Sequence, residues 1–164
     1  MALDAKGKWL FLYNDDIQMN TDGWDSQILS HKEFSILHPF VPNAAAHRKS
    51  KGDPIYCMTP IIPKSWVDNL SYIVPKKQAW ADTWIMDVAR EIGIFKMLTS
   101  VELYHKRYKE TGDPAMNDRT FKEGRRRRRK AKKQIPARNS SKTMESKREA
   151  IEIIEKMLKI SKSV

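Results

Sequence analysis

Trp9-Leu10-Phe11-Leu12-Tyr13, running straight into Asn14-Asp15-Asp16, is the stretch on which the reading of the fold turns. Its apolar residues are continuous rather than alternating, and the run has the length of a strand buried on both faces. Acidic residues end it abruptly. In open α/β sheets, ligands bind beyond the carboxyl ends of strands. Aspartates placed there are hard oxygen donors of the kind that hold Mg2+ or Mn2+. An Asp-Asp pair serves equally well as a solvated turn or a helix cap, so the pair alone leaves both readings open.

Downstream of this strand, Met19 to Phe40 is expected to form a short helix or loop, with turn chemistry at Thr21-Asp22-Gly23 and Pro39 closing it. Asn43 to Pro54 is small, polar and basic, and reads as a mobile surface loop. Ile55 to Ile62 is a second strand, with Pro60 predicting an edge or a bulge. Pro63-Lys64-Ser65-Trp66 starts a short helix that runs to about Leu70. The clearest helix is Ala81 to Ile92. Trp84, Val88 and Ile92 recur there at four-residue steps beside Ile85 and Ala89, and Gly93 is a natural stop.

Met97 to Tyr104 reads as a final strand running into His105, and Gly112 and Pro114 end regular structure. From 143 to 160 the chain is helical again. Ile151, Ile154 and Leu158 share a face with Ala150 and Met157, while Glu152/Lys156 and Glu155/Lys159 pair along the other. This helix is expected to pack back on the domain or onto a partner. Its mixed acidic and basic face argues against a membrane surface.

A chain of 164 residues makes one compact domain with appendages. No apolar run approaches the roughly 18 residues that cross a membrane, and the N-terminus lacks the apolar core of a secretory signal. Cys57 is alone, which excludes an internal disulfide and a cysteine-built zinc site. These features favour a cytoplasmic protein. The net charge of +11 suggests nucleic acid at first sight, but Arg125 to Arg129 with Lys130, Lys132 and Lys133 supply eight of those charges. The charge belongs to a segment. That segment reads as a charged linker, with a nucleic-acid patch or an anchor to anionic surfaces as the competing readings.

The stretch Ala5-Lys6-Gly7-Lys8 leading into the Trp9 strand and Asn14-Asp15-Asp16 resembles the part of family 2-like, GT-A-fold glycosyltransferases that carries their DXD metal motif. Met19-Asn20-Thr21-Asp22-Gly23-Trp24-Asp25 is similar to the continuation found in such proteins of bacteriophages and bacteria. The resemblance implies that Asn14, Asp15 and Asp16 occupy the DXD site, with Asp16 as metal ligand and Asn14 and Asp15 orienting the donor. Asn14 replaces the usual first aspartate.

Ala79-Trp80-Ala81-Asp82-Thr83-Trp84-Ile85 resembles the Glu-Asp motif that opens a helix and supplies the general base of inverting transfer; Asp82 matches the Asp and Ala81 replaces the Glu. Read without the resemblance, Asp82 is equally an N-cap. His105 stands where these enzymes complete the metal site with a His or a carboxylate, and imidazole suits Mn2+. Lys106 and Arg107 would add positive charge at the donor phosphates. Thr111-Gly112 and Asn117 to Gly124 resemble the tail of the phage-type subgroup. Asp87 matches nothing and reads as a surface or structural residue. His31, His38 and His47 show no ligand spacing.

These readings converge on an α/β protein with three parts. Residues 1–124 form a partial GT-A-like domain lacking its N-terminal nucleotide-binding strands, 125–139 a basic linker, and 140–164 an amphipathic helix. The missing strands imply a truncated or split gene product, a separate polypeptide that completes the domain, or a fold put to non-catalytic use, and without them the sheet exposes an edge. The expected activity is Mn2+- or Mg2+-dependent transfer of a sugar from a nucleotide donor to an acceptor. The alternative is a basic scaffold or nucleic-acid-associated protein that uses the arginine run.

Overall fold

The computed structural model describes residues 3–13, 17–31, 34–42, 59–76, 81–105 and 140–162. They form an α/β architecture: a mixed, curled five-stranded sheet and four helices. The strands are β1 (Trp9–Phe11), β2 (Ile17–Met19), β3 (Ile36–Phe40), β4 (Ile61–Pro63) and β5 (Phe95–His105). The helices are α1 (Trp24–Ser30), α2 (Lys64–Leu70), α3 (Ala81–Glu91) and α4 (Ser141–Lys162). Across the sheet the order is β1-β4-β3-β5-β2. β4 runs antiparallel to both β1 and β3, β3 runs parallel to β5, and β2 closes the far side antiparallel to β5. It follows that β1, β3 and β5 all point the same way.

Successive side chains of a strand face opposite sides of the sheet, and two cores result. Leu10, Leu12, Ile36 and Ile62 face one side, where Trp66, Val67, Trp84, Ile85, Val88 and Ala89 pack on them from α2 and α3. Trp9, Phe11, Leu37 and Ile61 face the other, against Ile28 and Trp24 of α1 and Leu98 and Val101 of β5. α4 joins the first core through Ala150 and Ile154, both fully buried, with Ile151, Met157 and Leu158 half-buried beside them. It packs back on the domain, as its apolar face predicts. The Trp84 indole N–H donates to the Ser146 hydroxyl at 3.2 Å. Lys147 reaches Asp87 of α3 at 2.6 Å, which makes Asp87 a structural residue.

Three expectations change. Met19 to Phe40 is not a short helix or loop: it holds the end of β2, all of α1 and all of β3, and Pro39 lies inside β3 rather than closing the stretch. His38 and Pro39 hide a strand whose Ile36 and Leu37 are fully buried between β4 and β5. The strand containing Ile61 and Ile62 is not an edge. Backbone bonds from Lys64 N–H to Lys8 C=O and from Leu12 N–H to Pro60 C=O fix its pairing phase. The missing Pro63 N–H therefore points away from β1, and at Pro60 the ladder keeps the Leu12 bond alone. Third, β1 is only half-buried along its length although both faces lie on core clusters, because β1 is itself an edge strand. The stretch 43–54, residues 55–58, the basic run 125–133 and the segments 111–112 and 117–124 lie outside the described residues.

His38 adds a pH dependence to this core. It is fully buried in β3 and stacks on Phe95 with ring centroids 6.3 Å apart. Burial, reinforced by the positive charge of Arg90, lowers its pKa from 6.5 to about 4. The folded chain thus keeps His38 neutral where the unfolded chain would protonate it. The stability contribution is complete above pH 6.5 and is lost as the pH falls from 6.5 to about 4, a loss of about 3 kcal/mol. Urea unfolding across this window is expected to show that decline, and His38→Leu to flatten it.

Candidate functional site

β1, β3 and β5 deliver their carboxyl ends to one end of the sheet, and the packing there confirms the convergence. Val41, the residue after β3, is buried with Ile17 of β2 and Leu103 of β5, with Phe11 of β1 against them. A ligand meeting this sheet at its usual place would meet it here.

Asn14, Asp15 and Asp16 lie outside the described residues, but both flanks are placed. Tyr13 follows β1, and its hydroxyl donates to the Ile17 carbonyl at 2.8 Å. Its ring meets Phe11 edge to face at 5.2 Å. One side chain therefore ties together the two ends of the tripeptide. Ile17 then pairs with His105, Gln18 with Tyr104 and Met19 with Leu103. Asp16 is one peptide bond from Ile17, and His105 stands opposite Ile17 across the ladder. The side chain of His105, like Lys106 and Arg107 beyond it, lies outside the described set.

β5 reaches this position through an irregularity. Pro39 pairs with Leu98 but Phe40 pairs with Glu102, so the intervening residues of β5 leave the ladder. Glu102 anchors the turn after β2: its N–H donates to the Thr21 hydroxyl at 2.8 Å and its carbonyl accepts from Asn20 N–H at 2.9 Å. The Asn20 amide also reaches the Glu102 carboxylate at 3.3 Å. The turn residues Thr21-Asp22-Gly23 signal a bend at this point. Only the pairing shows that the bend clamps β2 and α1 onto β5.

Asp82 arrives from another element. It is the second residue of α3, half-buried, and its Oδ1 accepts the Thr83 N–H at 2.8 Å. It sits within the first turn rather than at a cap, where a carboxylate is favoured by the helix dipole. The other end of α3 is tied to the start of the parallel strands. Gly93 adopts a left-handed φ of 72°, Ile94 N–H bonds to the Ala89 carbonyl, and Ile36 N–H bonds to the Ile94 carbonyl. A helix of 11 residues spans about 16 Å. The N-terminal turn carrying Asp82 therefore lies at the end of α3 remote from the strand starts.

Of the residues singled out in the sequence, the structure places the backbone of His105 beside that of Ile17, and Asp82 on the neighbouring helix. Among the described residues no three His, Cys, Asp or Glu side chains form a metal-holding group; Asp15 and Asp16 are not among those residues. No helix among the described residues is long and apolar enough to cross a membrane. No protein-family model, no curated protein and no solved structure matches this chain.

Proposed function

We propose that the chain is the catalytic half of a GT-A-like domain and moves a sugar from a nucleotide donor to an acceptor hydroxyl in a divalent-metal-dependent reaction. The observation that carries this reading is the Ile17–His105 pairing. It sets the residue bonded to Asp16 opposite His105 at the sheet end where β1, β3 and β5 terminate. There the Asp16 carboxylate and the His105 imidazole would make a donor set that fits Mn2+, and Mg2+ less well. Bound there, the ion would supply neutralisation of the negative charge on a nucleoside-diphosphate leaving group.

The chain's own residues have separable tasks in this reading. Tyr13 holds the ends of the acidic tripeptide together through its bond to Ile17. Asn14 and Asp15 orient the donor, and Lys106 and Arg107 place positive charge beside its phosphates. Asp82 takes the proton of the acceptor hydroxyl, from a helix held by the first core. Proximity of donor and acceptor at one sheet end supplies the orientation that such a displacement needs.

Mn2+ binding alone tests the metal assignment. Electron paramagnetic resonance of free Mn2+ is expected to report one site in the full chain. Asp16→Asn should weaken it by more than about tenfold, since even groups behind the direct ligands contribute that much. Undiminished binding in Asp16→Asn would remove Asp16 from the site.

A further inference from the structure

We infer that Thr21 is a positioning residue of the metal site proposed above: its hydroxyl locks the register that sets Ile17, and with it Asp16, against His105. Its part in metal binding rests on that reading; its part in the register does not. Asn20 N–H donates to the Glu102 carbonyl at 2.9 Å, so Asn20 and Glu102 form a hydrogen-bonded pair of the antiparallel ladder. Such pairs alternate with open ones, which makes Gln18–Tyr104 bonded and leaves Met19–Leu103 and Ile17–His105 open. In an open pair the backbone N–H and C=O groups point away from the partner strand. The Ile17 carbonyl accordingly faces away from β5, where the Tyr13 hydroxyl meets it at 2.8 Å. A bonded pair exchanges two N–H···O bonds, yet the Glu102 N–H donates to the Thr21 hydroxyl at 2.8 Å. The Thr21 side chain takes the donor that the Asn20 carbonyl would take in a continued ladder, and the pairing stops there.

β2 has three residues, too few to hold a register unaided. Ile17 is buried and Gln18 exposed, so a slip of one residue would turn Gln18 into the core and is excluded by burial. A slip of two residues restores the alternation and is not excluded that way. It would carry Ile17, and the Asp16 bonded to it, about 7 Å along β5. An ion whose oxygen donors lie about 2 Å away tolerates no such displacement. What opposes the slip lies at the turn. Thr21 leads through Gly23, with its left-handed φ of 66°, into α1. α1 is itself tied to β5, because the Ser100 hydroxyl donates to Gln27 Oε1 at 2.6 Å. Ser100 is among the residues that leave the β3 ladder between Leu98 and Glu102. Sliding β2 would break the Thr21 bond and pull α1 off this anchor.

NMR and Mn2+ titration of the full chain test this together, with Thr21→Val, which removes the acceptor at nearly constant shape, and Thr21→Ser, which keeps it. In the parent chain the Glu102 amide is expected to be protected from exchange. The open pairs should give Hα–Hα Overhauser contacts between Ile17 and His105 and between Met19 and Leu103. Thr21→Val should speed Glu102 exchange by more than about tenfold and remove the Ile17–His105 contact. It should also weaken Mn2+ binding, read by electron paramagnetic resonance, by more than about tenfold. The Trp84 indole N–H signal should stay in place, as the mark of an intact first core. Thr21→Ser should keep exchange, contact and affinity at parent values. Fast exchange of Glu102 in the parent would overturn the inference before any variant is made. So would a Thr21→Val chain that kept the Ile17–His105 contact, or one that lost it yet bound Mn2+ undiminished. Loss of the Trp84 signal in Thr21→Val would make Thr21 a residue of the fold at large and equally overturn its positioning role. A parent chain that bound no Mn2+ would instead refute the metal reading, with the Overhauser contacts still deciding the register.

Discussion

Asp82→Asn is expected to slow sugar transfer by roughly 10²–10⁴-fold, the usual contribution of a positioned general base. The substitution is close to isosteric, and its side-chain carbonyl can still accept the Thr83 N–H that Oδ1 accepts at 2.8 Å. The fold should therefore be unchanged, with an unfolding free energy in urea within about 0.5 kcal/mol of the parent. Donor binding should also be unchanged, because Asp82 faces the acceptor in the proposed arrangement. A fall in kcat with KM for the donor preserved is the pattern of an interaction made in the transition state. If both the rate and the donor KM were unaltered, Asp82 would be a helix-turn residue and nothing more.

Trp84→Ala carries the largest expected loss of stability, about 3–5 kcal/mol. The side chain is 1% exposed and lies between the helix layer and the sheet. Its ring meets Trp66 edge to face at 6.2 Å and Tyr72 at 6.3 Å, and its N–H bonds to Ser146 of α4. Truncation opens a cavity and leaves the Ser146 hydroxyl without this donor. A domain of this size has about 5–15 kcal/mol in total, so urea unfolding should show a much lower midpoint. Ile153→Ala, at a 38% exposed position of α4, is the matched control and should change stability by less than about 0.5 kcal/mol. Equal effects at the two positions would show that α4 is docked differently.

The features readable without the structure were local. α2, α3, β5 and α4 announce themselves through four-residue apolar steps, through Pro63 and Gly93 at their boundaries, or through a β-rich run such as Leu98 to Leu103. β3 was hidden because Ile36-Leu37-His38-Pro39-Phe40 contains a histidine and a proline, and its burial comes from neighbours distant in sequence. β2 spans only Ile17–Met19 and exists by pairing with residues 103 to 105. The interior place of β4, where Pro60 suggested an edge, was hidden for the same reason: strand order is a property of the whole sheet. The candidate site divides in the same way. Asp82 at a helix start is visible in the sequence, and so is an acidic tripeptide after an apolar strand. The Ile17–His105 register and the Tyr13–Ile17 bond are not, because no local pattern encodes a register.

The central claim is that this sheet end holds a nucleotide sugar through a divalent ion. Calorimetric titration of UDP- and GDP-sugars into the full chain, with and without Mn2+, tests it most directly. The account predicts binding of one of these donors that requires Mn2+ and is lost in Asp16→Asn. Donor binding indifferent to Mn2+ and to Asp16, or no binding of any donor while the chain binds Mn2+, would contradict it.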